Sequence, residues 1–312
     1  MTTLIEKNVS ELPVRSPKPI WKSLFISTRP MHWVKNIFVF LPVVFDYHLF
    51  SSEVFSSMVV FVAFSLAASM AYMINDVLDR PHDIHHPSKM DRPITRGDIP
   101  PRLAVISAVT LGLLSILVGF TIHLRVALVL VAYISLFVAY SVWLKRIIIL
   151  DVATIGVGFV LRVVAGAYAV NYIVSDWILI STFFLASLIG FSKRRYEIMY
   201  DDEGIQFNRG YSPYFLDLLI LFSAATVMGS YIFYVISRGT WQNGIPVLVS
   251  VLVVFYGILR YLLLIHRSDE RLDHTQLILT DRPLVAAVLV WIVLLLTELY
   301  MFNPRITWPI EQ

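Results

Sequence analysis

"SSMVVFVAFSLAASMAYMINDVLDRPHD" occupies residues 56–83 and changes character partway along. Residues 56–78 are predominantly apolar and reach the roughly 20 residues that a helix needs to cross a bilayer. Asn75, Asp76 and Asp79 close that run. The continuation to Pro93, "RPHDIHHPSKMDRP", adds Asp83, Asp91, Arg80, Lys89 and Arg92. Four carboxylates, one amide and three fixed cations therefore crowd the mouth of one hydrophobic segment.

Similar apolar runs recur along almost the whole chain. The 312 residues are 57% hydrophobic, with a mean hydropathy of +0.73. Nine runs are read, at about 37–50, 56–78, 102–122, 125–144, 147–170, 176–192, 214–237, 245–266 and 283–302. Barrel strands would be half as long and alternating. The pattern predicts an all-α integral membrane protein with nine transmembrane helices. Residues 1–24 are polar, carry Pro13, Pro17 and Pro19, and read as a loosely ordered tail before one transmembrane domain over 25–312. The chain has no cysteine, which excludes disulfides and thiolate metal sites. No nucleic-acid partner is expected, and small-residue helix faces leave room for association of copies.

Nine spans put the N-terminal tail and the loops after spans two, four, six and eight on one side. That side holds 21 Lys and Arg, the opposite side only Arg125, Arg238 and Arg305. Excess positive charge marks cytoplasmic loops. The N-terminus is thus expected in the cytoplasm and the C-terminus outside.

At about 100° per residue, Tyr72, Asn75, Asp76 and Asp79 share one face of a helix, and Asp83 extends the stripe past Pro81. Proline disfavours a helix interior, so Asp83 is less firmly aligned than the other three. Close carboxylates repel unless a cation lies between them. Oxygen-only donors suit Mg²⁺, which is often shared between carboxylates and substrate phosphates. Lys89 and Arg92 would address the remaining phosphate charge. A solvated loop that only fixes topology is the plainer alternative. His82, His85 and His86 lack the spacing of a helical zinc motif.

A second polar stretch, "GFSKRRYEIMYDDEGIQFNRGYSP" (190–213), is read as a loop opening with Lys193, Arg194, Arg195 and Glu197. It is either the anion-binding half of one site or a positive-inside anchor. Lys35 and Asn36 precede span one, and Tyr140 and Lys145 end span four. Arg162 lies inside span five, where an arginine is expensive and should face a cavity or a partner. Gly156, Gly158 and Gly166 more readily mark close helix packing than chemistry.

"NDVLDRPHD" fits the N-D-x-x-D-x-x-x-D pattern of the UbiA prenyltransferase superfamily, and the chain resembles that family from about residue 25 onward. The usual aromatic prenyltransferases carry a second D-x-x-x-D motif after span six. Here "KRRYEIMYDDEG" stands in its place. With "RPMHWVKNIFVFLPVVF", "HPSKMDRPI", "YSVWLKR", "GFVLRVVAGA", "SKRRYE" and "DRPL", the chain resembles the decaprenyl-phosphate phosphoribosyltransferase branch. That resemblance implies a UbiA-like bundle in the cell membrane. It implies transfer of 5-phosphoribose from phosphoribosyl pyrophosphate to a polyprenyl phosphate, with release of pyrophosphate, toward cell-wall arabinose donors. It assigns Asn75, Asp79 and Asp83 to Mg²⁺–diphosphate, with Asp76 a further ligand or a residue behind the ligands.

Asp79, Asp83 and Lys193 are then expected in catalysis. Lys35, Tyr72, Lys89, Arg92, Tyr140, Lys145, Arg162, Arg194 and Glu197 are expected around the substrates. One rival is prenyl transfer to an aromatic acceptor, which calls for a second acidic metal site. Another is a transporter whose ion path uses Arg162 and the acids, which predicts uptake without turnover.

Overall fold

The computed structural model describes residues 19–45, 51–86, 89–200, 210–237, 245–267 and 280–301. The described residues are helical, with no strand among them. Helix α1 (Ile20–Ser27) begins inside the stretch read as a tail. A 3₁₀ helix follows at Pro30–Phe40 and passes directly into α2 (Leu41–Phe45). Then come α3 (Glu53–Asp83), the short α4 (Pro93–Arg96), α5 (Pro101–Ile122) and α6 (Leu124–Val142). A 3₁₀ turn at Leu144–Arg146 leads to α7 (Leu150–Ala169), α8 (Asp176–Tyr200), α9 (Pro213–Ser237), α10 (Ile245–Arg267) and α11 (Arg282–Met301).

Eight of these helices are long and apolar enough to cross a membrane. They coincide with the second to ninth expected spans. The expected first span, 37–50, falls on the end of the 3₁₀ helix, on α2 and on residues 46–50, which lie outside the described residues.

Consecutive helices pack as neighbours, with α3 against α5, α8 against α9 and α10 against α11 the most extensive pairs. In lipid this association rests on close fit rather than on a hydrophobic drive between helices. Phe64, Leu130 and Tyr133 form one interior cluster with Val39, Val60 and Ala165. Leu188, Leu216, Ile220, Tyr261 and Leu284 form another. Small residues allow the fit. A Cβ on Gly166 would lie 2.0 Å from the Val39 carbonyl oxygen, so α7 and the 3₁₀ helix touch backbone to backbone there.

Two helices outrun their apolar stretches. Helix α3 continues through Pro81 to Asp83, so the proline does not end the acidic stripe. Its missing N–H falls in the last turn, where only one ladder bond is lost. Helix α8 runs to Tyr200, so Lys193, Arg194, Arg195 and Glu197 sit on a helix and not on the expected loop. Glu197 meets Arg194 at i,i+3 and Lys193 at i,i+4, the spacings that support a helix surface.

Candidate active site

The last two turns of α3 carry Asn75, Asp76, Asp79 and Asp83. Asp76 is 2% exposed. Its Oδ1 accepts from Arg29 Nη2 at 2.5 Å and from Arg92 Nη1 at 3.1 Å. Arg92 Nη1 also donates to Asp83 Oδ2 at 2.6 Å. Asn75 Nδ2 donates to Asp79 Oδ2 at 2.8 Å. Lys145, on the turn after α6, donates from Nζ to Asn75 Oδ1 at 3.2 Å and to Asp79 Oδ1. The four side chains are thus divided into two pairs, each closed by a cation. Lys89 is near enough for its charge to act on Asp83.

Arg29 is a site residue that the sequence reading missed. It adopts a left-handed backbone at φ 51° between α1 and Pro30. That turn carries its guanidinium over the Tyr72 ring, 5.0 Å from the centroid, and onto Asp76. His32 lies 5.5 Å from the same ring. Lys35 is half-buried on the 3₁₀ helix.

The end of α8 forms a second polar cluster. Arg194 donates from Nε to Asp151 Oδ2 at 2.8 Å and from Nη1 to Glu197 Oε2 at 2.6 Å. The Tyr211 hydroxyl donates to Asp151 Oδ1 at 2.8 Å and accepts from the Ile149 N–H at 2.6 Å. Burial pushes the Tyr211 hydroxyl well above the usual tyrosine range, and Asp151 adds to this against the Ile149 N–H. It is held as a donor. Tyr140, at the end of α6, is close enough to interact with Arg194, Asp151 and Glu197. Arg195 donates to Asp217 Oδ1 at 2.5 Å, and His266 Nε2 lies 3.4 Å from the same oxygen. Lys193 is 60% exposed along its side chain. Asp151 and Tyr211 were not foreseen. The available signal was an isolated acid opening an apolar span.

These contacts join the C-terminal ends of α3, α6, α8 and α10 to the N-terminal ends of α7 and α9, so both expected polar stretches share one end of the bundle. Asp281, at the N-terminus of α11, joins them through Arg260 at 2.7 Å. Its Oδ1 accepts the Leu284 N–H at 2.8 Å and so caps that helix.

Arg162 lies apart from both clusters and is 4% exposed. It donates to Asn36 Oδ1 at 2.7 Å, to the Gly158 carbonyl at 2.7 Å and to the Tyr133 hydroxyl at 2.8 Å. The rings of Tyr133, Phe159 and Phe64 surround it with centroids 4.9, 5.1 and 5.7 Å away. Its hydrogen-bond partners are all neutral, and no carboxylate among the described residues is within ion-pair distance. It binds the 3₁₀ helix to α6 and α7.

No group of three His, Asp or Glu converges as a metal cage among the described residues. The donor chemistry of the stripe nevertheless fits a hard cation. Asn75 Oδ1 and Asp79 Oδ1 already turn toward one cationic centre, the Lys145 ammonium. All candidate donors there are oxygens, as Mg²⁺ prefers.

Residues 38–280 match the model of the UbiA prenyltransferase family. The chain is 29% identical over 311 residues to a decaprenyl-phosphate phosphoribosyltransferase of Corynebacterium glutamicum, covering 96% of this chain and 92% of that one. It is 31% identical over 277 residues to the Mycobacterium tuberculosis protein of the same name, covering 85% and 90%. Its fold superimposes on a UbiA homologue from Archaeoglobus fulgidus bound to GPP and Mg²⁺, with a TM-score of 0.68, 16% identity, and 88% and 96% of the two chains covered. The chain therefore belongs to the UbiA prenyltransferase family and is a multi-pass membrane transferase, with decaprenyl-phosphate phosphoribosyltransferases as relatives along most of its length.

Proposed function

We propose that the chain transfers 5-phosphoribose from phosphoribosyl pyrophosphate to a polyprenyl phosphate, in a Mg²⁺-dependent reaction that releases pyrophosphate. The observation that carries this reading is the match, over 85% of this chain and 90% of the relative, to a protein named decaprenyl-phosphate phosphoribosyltransferase. The polar end supports it. Among the described residues its stripe of oxygen donors is the one on α3. Lys193, Arg194 and Arg195 stand where an aromatic prenyltransferase would need a second pair of acids.

Asn75, Asp79 and Asp83 are the residues that would hold Mg²⁺, and Lys145 and Arg92 would turn from them toward phosphate. Bound Mg²⁺ supplies charge neutralisation to a departing pyrophosphate. The bond that breaks joins the anomeric carbon to pyrophosphate, and the bond that forms joins that carbon to a lipid-phosphate oxygen. The lipid phosphate is already an anion, so the chain need not remove a proton. Its task is to bring two anions together while positive charge develops on the ribose, as in glycoside chemistry.

Lys35, Lys89, Arg92, Lys145, Lys193 and Arg194 supply the cations for that task, and we add Arg29 to them. In this reading Tyr72 and Tyr140 hydrogen-bond phosphate or ribose oxygens. Glu197 orients Arg194, and Arg162 contributes a fixed positive charge beneath the site. The polar end faces the cytoplasm in this reading, with the N-terminus inside the plasma membrane and the C-terminus outside.

The test supplies purified protein in detergent with Mg²⁺, labelled phosphoribosyl pyrophosphate and a polyprenyl phosphate. A labelled lipid is the expected product, and Lys193→Ala should form it more slowly. Label that stays water-soluble, while a prenyl diphosphate and 4-hydroxybenzoate are joined, overturns the reading in favour of aromatic prenylation.

A further inference from the structure

Helix α1 is packed inside out. Its buried residues are Ser23 and Ser27, at 0% and 2% exposure, while Trp21 and Phe25 are 67% and 60% exposed. Ile20 and Ile26 are exposed beside them. An ordinary surface helix turns its apolar stripe toward the protein. Here the serines face α3 and α4, against which α1 packs, and the aromatic stripe faces away. Ser27 Oγ donates to the Ser23 carbonyl at 2.9 Å, and Ser23 Oγ is buried without a partner among the described residues.

Three further observations indicate what covers the aromatic face. The apolar surface continues along the 3₁₀ helix through Met31, Val34 and Ile37, which run toward the membrane-embedded body. Arg29, two residues after α1, reaches the polar end at Asp76, so α1 lies at the level where spans meet water. Between Glu11 and Asp46 the sequence holds five Lys and Arg and no carboxylate. One of them, Lys22, lies 5.3 Å from the Trp21 ring centroid. Trp paired with Lys is the chemistry of a bilayer interface, with rings at the headgroup boundary and the ammonium extended to phosphate.

We propose that α1 is an interfacial helix that seats Trp21 and Phe25 in the headgroup zone of a bilayer containing anionic lipid. The lipid surface then holds the outer face of α1 while α3 and α4 hold the inner one, and the turn at Arg29 passes that position to Asp76. A helix so anchored registers the N-terminal wall of the polar site against the plane in which lipid phosphates lie.

Because the chain has no cysteine, single nitroxide labels can be placed without removing native thiols. Trp21→Cys, Lys22→Cys, Ser23→Cys and Phe25→Cys are labelled in full-length protein in nanodiscs of phosphatidylcholine, with and without phosphatidylglycerol. Labels at 21 and 25 should collide with oxygen several-fold more than with a water-soluble nickel chelate, and the label at 22 should do the reverse. The label at 23 should collide with neither, because that face is docked. Phosphatidylglycerol should deepen the labels at 21 and 25. Nickel contact at 21 and 25 equal to that of an aqueous loop overturns the proposal. So does protection from both reagents there, which assigns the face to the chain's own tail or to a second copy. Free collision at 23 shows an undocked helix and overturns it as well, and equal depth in the two lipids removes the anionic headgroup.

Discussion

Lys145 and Asp79 meet across 66 residues of chain, the ammonium donating to Oδ1. The carboxylate thus has a cation before any ligand arrives, and the pair ties the end of α3 to the turn after α6. Asn75 shares the same ammonium.

Asp79→Asn should abolish turnover, by about 100-fold or more if a metal-ligating oxygen is lost. The protein should still insert and fold, because the amide fills the same volume. Loss of the charged partner of Lys145 should cost about 1–3 kcal/mol of stability. Turnover at saturating substrate and Mg²⁺, read beside thermal unfolding in detergent, separates the two effects. Near-normal turnover removes Asp79 from the metal site.

Asp76 should behave differently. It is nearly inaccessible, and its Oδ1 serves two guanidinium groups. Asp76→Asn should leave Mn²⁺ affinity close to wild type while destabilising the protein by about 1–3 kcal/mol, since Arg29 loses its carboxylate while Arg92 keeps Asp83. Manganese titration by electron paramagnetic resonance checks the first half. A loss of affinity as large as that of Asp79→Asn makes Asp76 a ligand.

Arg162 is a structural cross-brace in this arrangement. Arg162→Ala removes the donor to the Asn36 oxygen and the Tyr133 hydroxyl and leaves the Gly158 carbonyl only its helical bond, and should cost about 3–5 kcal/mol. Arg162→Lys should not restore stability, because one ammonium cannot span a planar fork of three acceptors. The melting temperature of the two purified variants decides the matter, with recovery by lysine the contrary result.

Gly166→Ala should be nearly as severe. The added methyl would overlap the Val39 carbonyl, and the obstacle is backbone. A shift of the 3₁₀ helix is the only relief, at about 1–3 kcal/mol or more. An unchanged melting temperature would mean that the two segments are further apart in the membrane.

Asp281 sets a pH dependence of stability. The hydrogen bond from Arg260 holds its carboxyl below the usual carboxylate range, and the Leu284 N–H acts in the same direction. Its folded pKa is therefore lower than its unfolded one, near 3.9. The contribution is complete above about pH 5 and lost as pH falls through the folded value. Asp281→Asn should lower the melting temperature at neutral pH, and the gap to wild type should close in acid. A gap that widens in acid reverses the sign.

Hydropathy alone made the membrane bundle legible, because apolar runs of bilayer length leave few alternatives. Helical phase aligned Asn75, Asp76 and Asp79 for the same reason. What escaped was whatever depended on packing between distant segments. Arg29 reaches Asp76 only through a left-handed turn that no periodicity announces. Asp151 meets Arg194 across 43 residues of chain and Tyr211 across 60. Helix α8 outran its apolar stretch because Glu197 and the bases before it stabilise another two turns. Of the expected first span, residues 37–45 form the end of a 3₁₀ helix and the short α2, which are not among the eight helices of membrane-crossing length.

The gathering of ionic side chains at one end gives the molecule a handedness of traffic. Between the two ends lie apolar clusters around Phe64 and Tyr133 and around Phe45 and Tyr234. A headgroup entering at the ionic end meets packed rings with Arg162 enclosed among them, not a corridor. Under the proposed function, a lipid product therefore stays in the leaflet from which its reactants came.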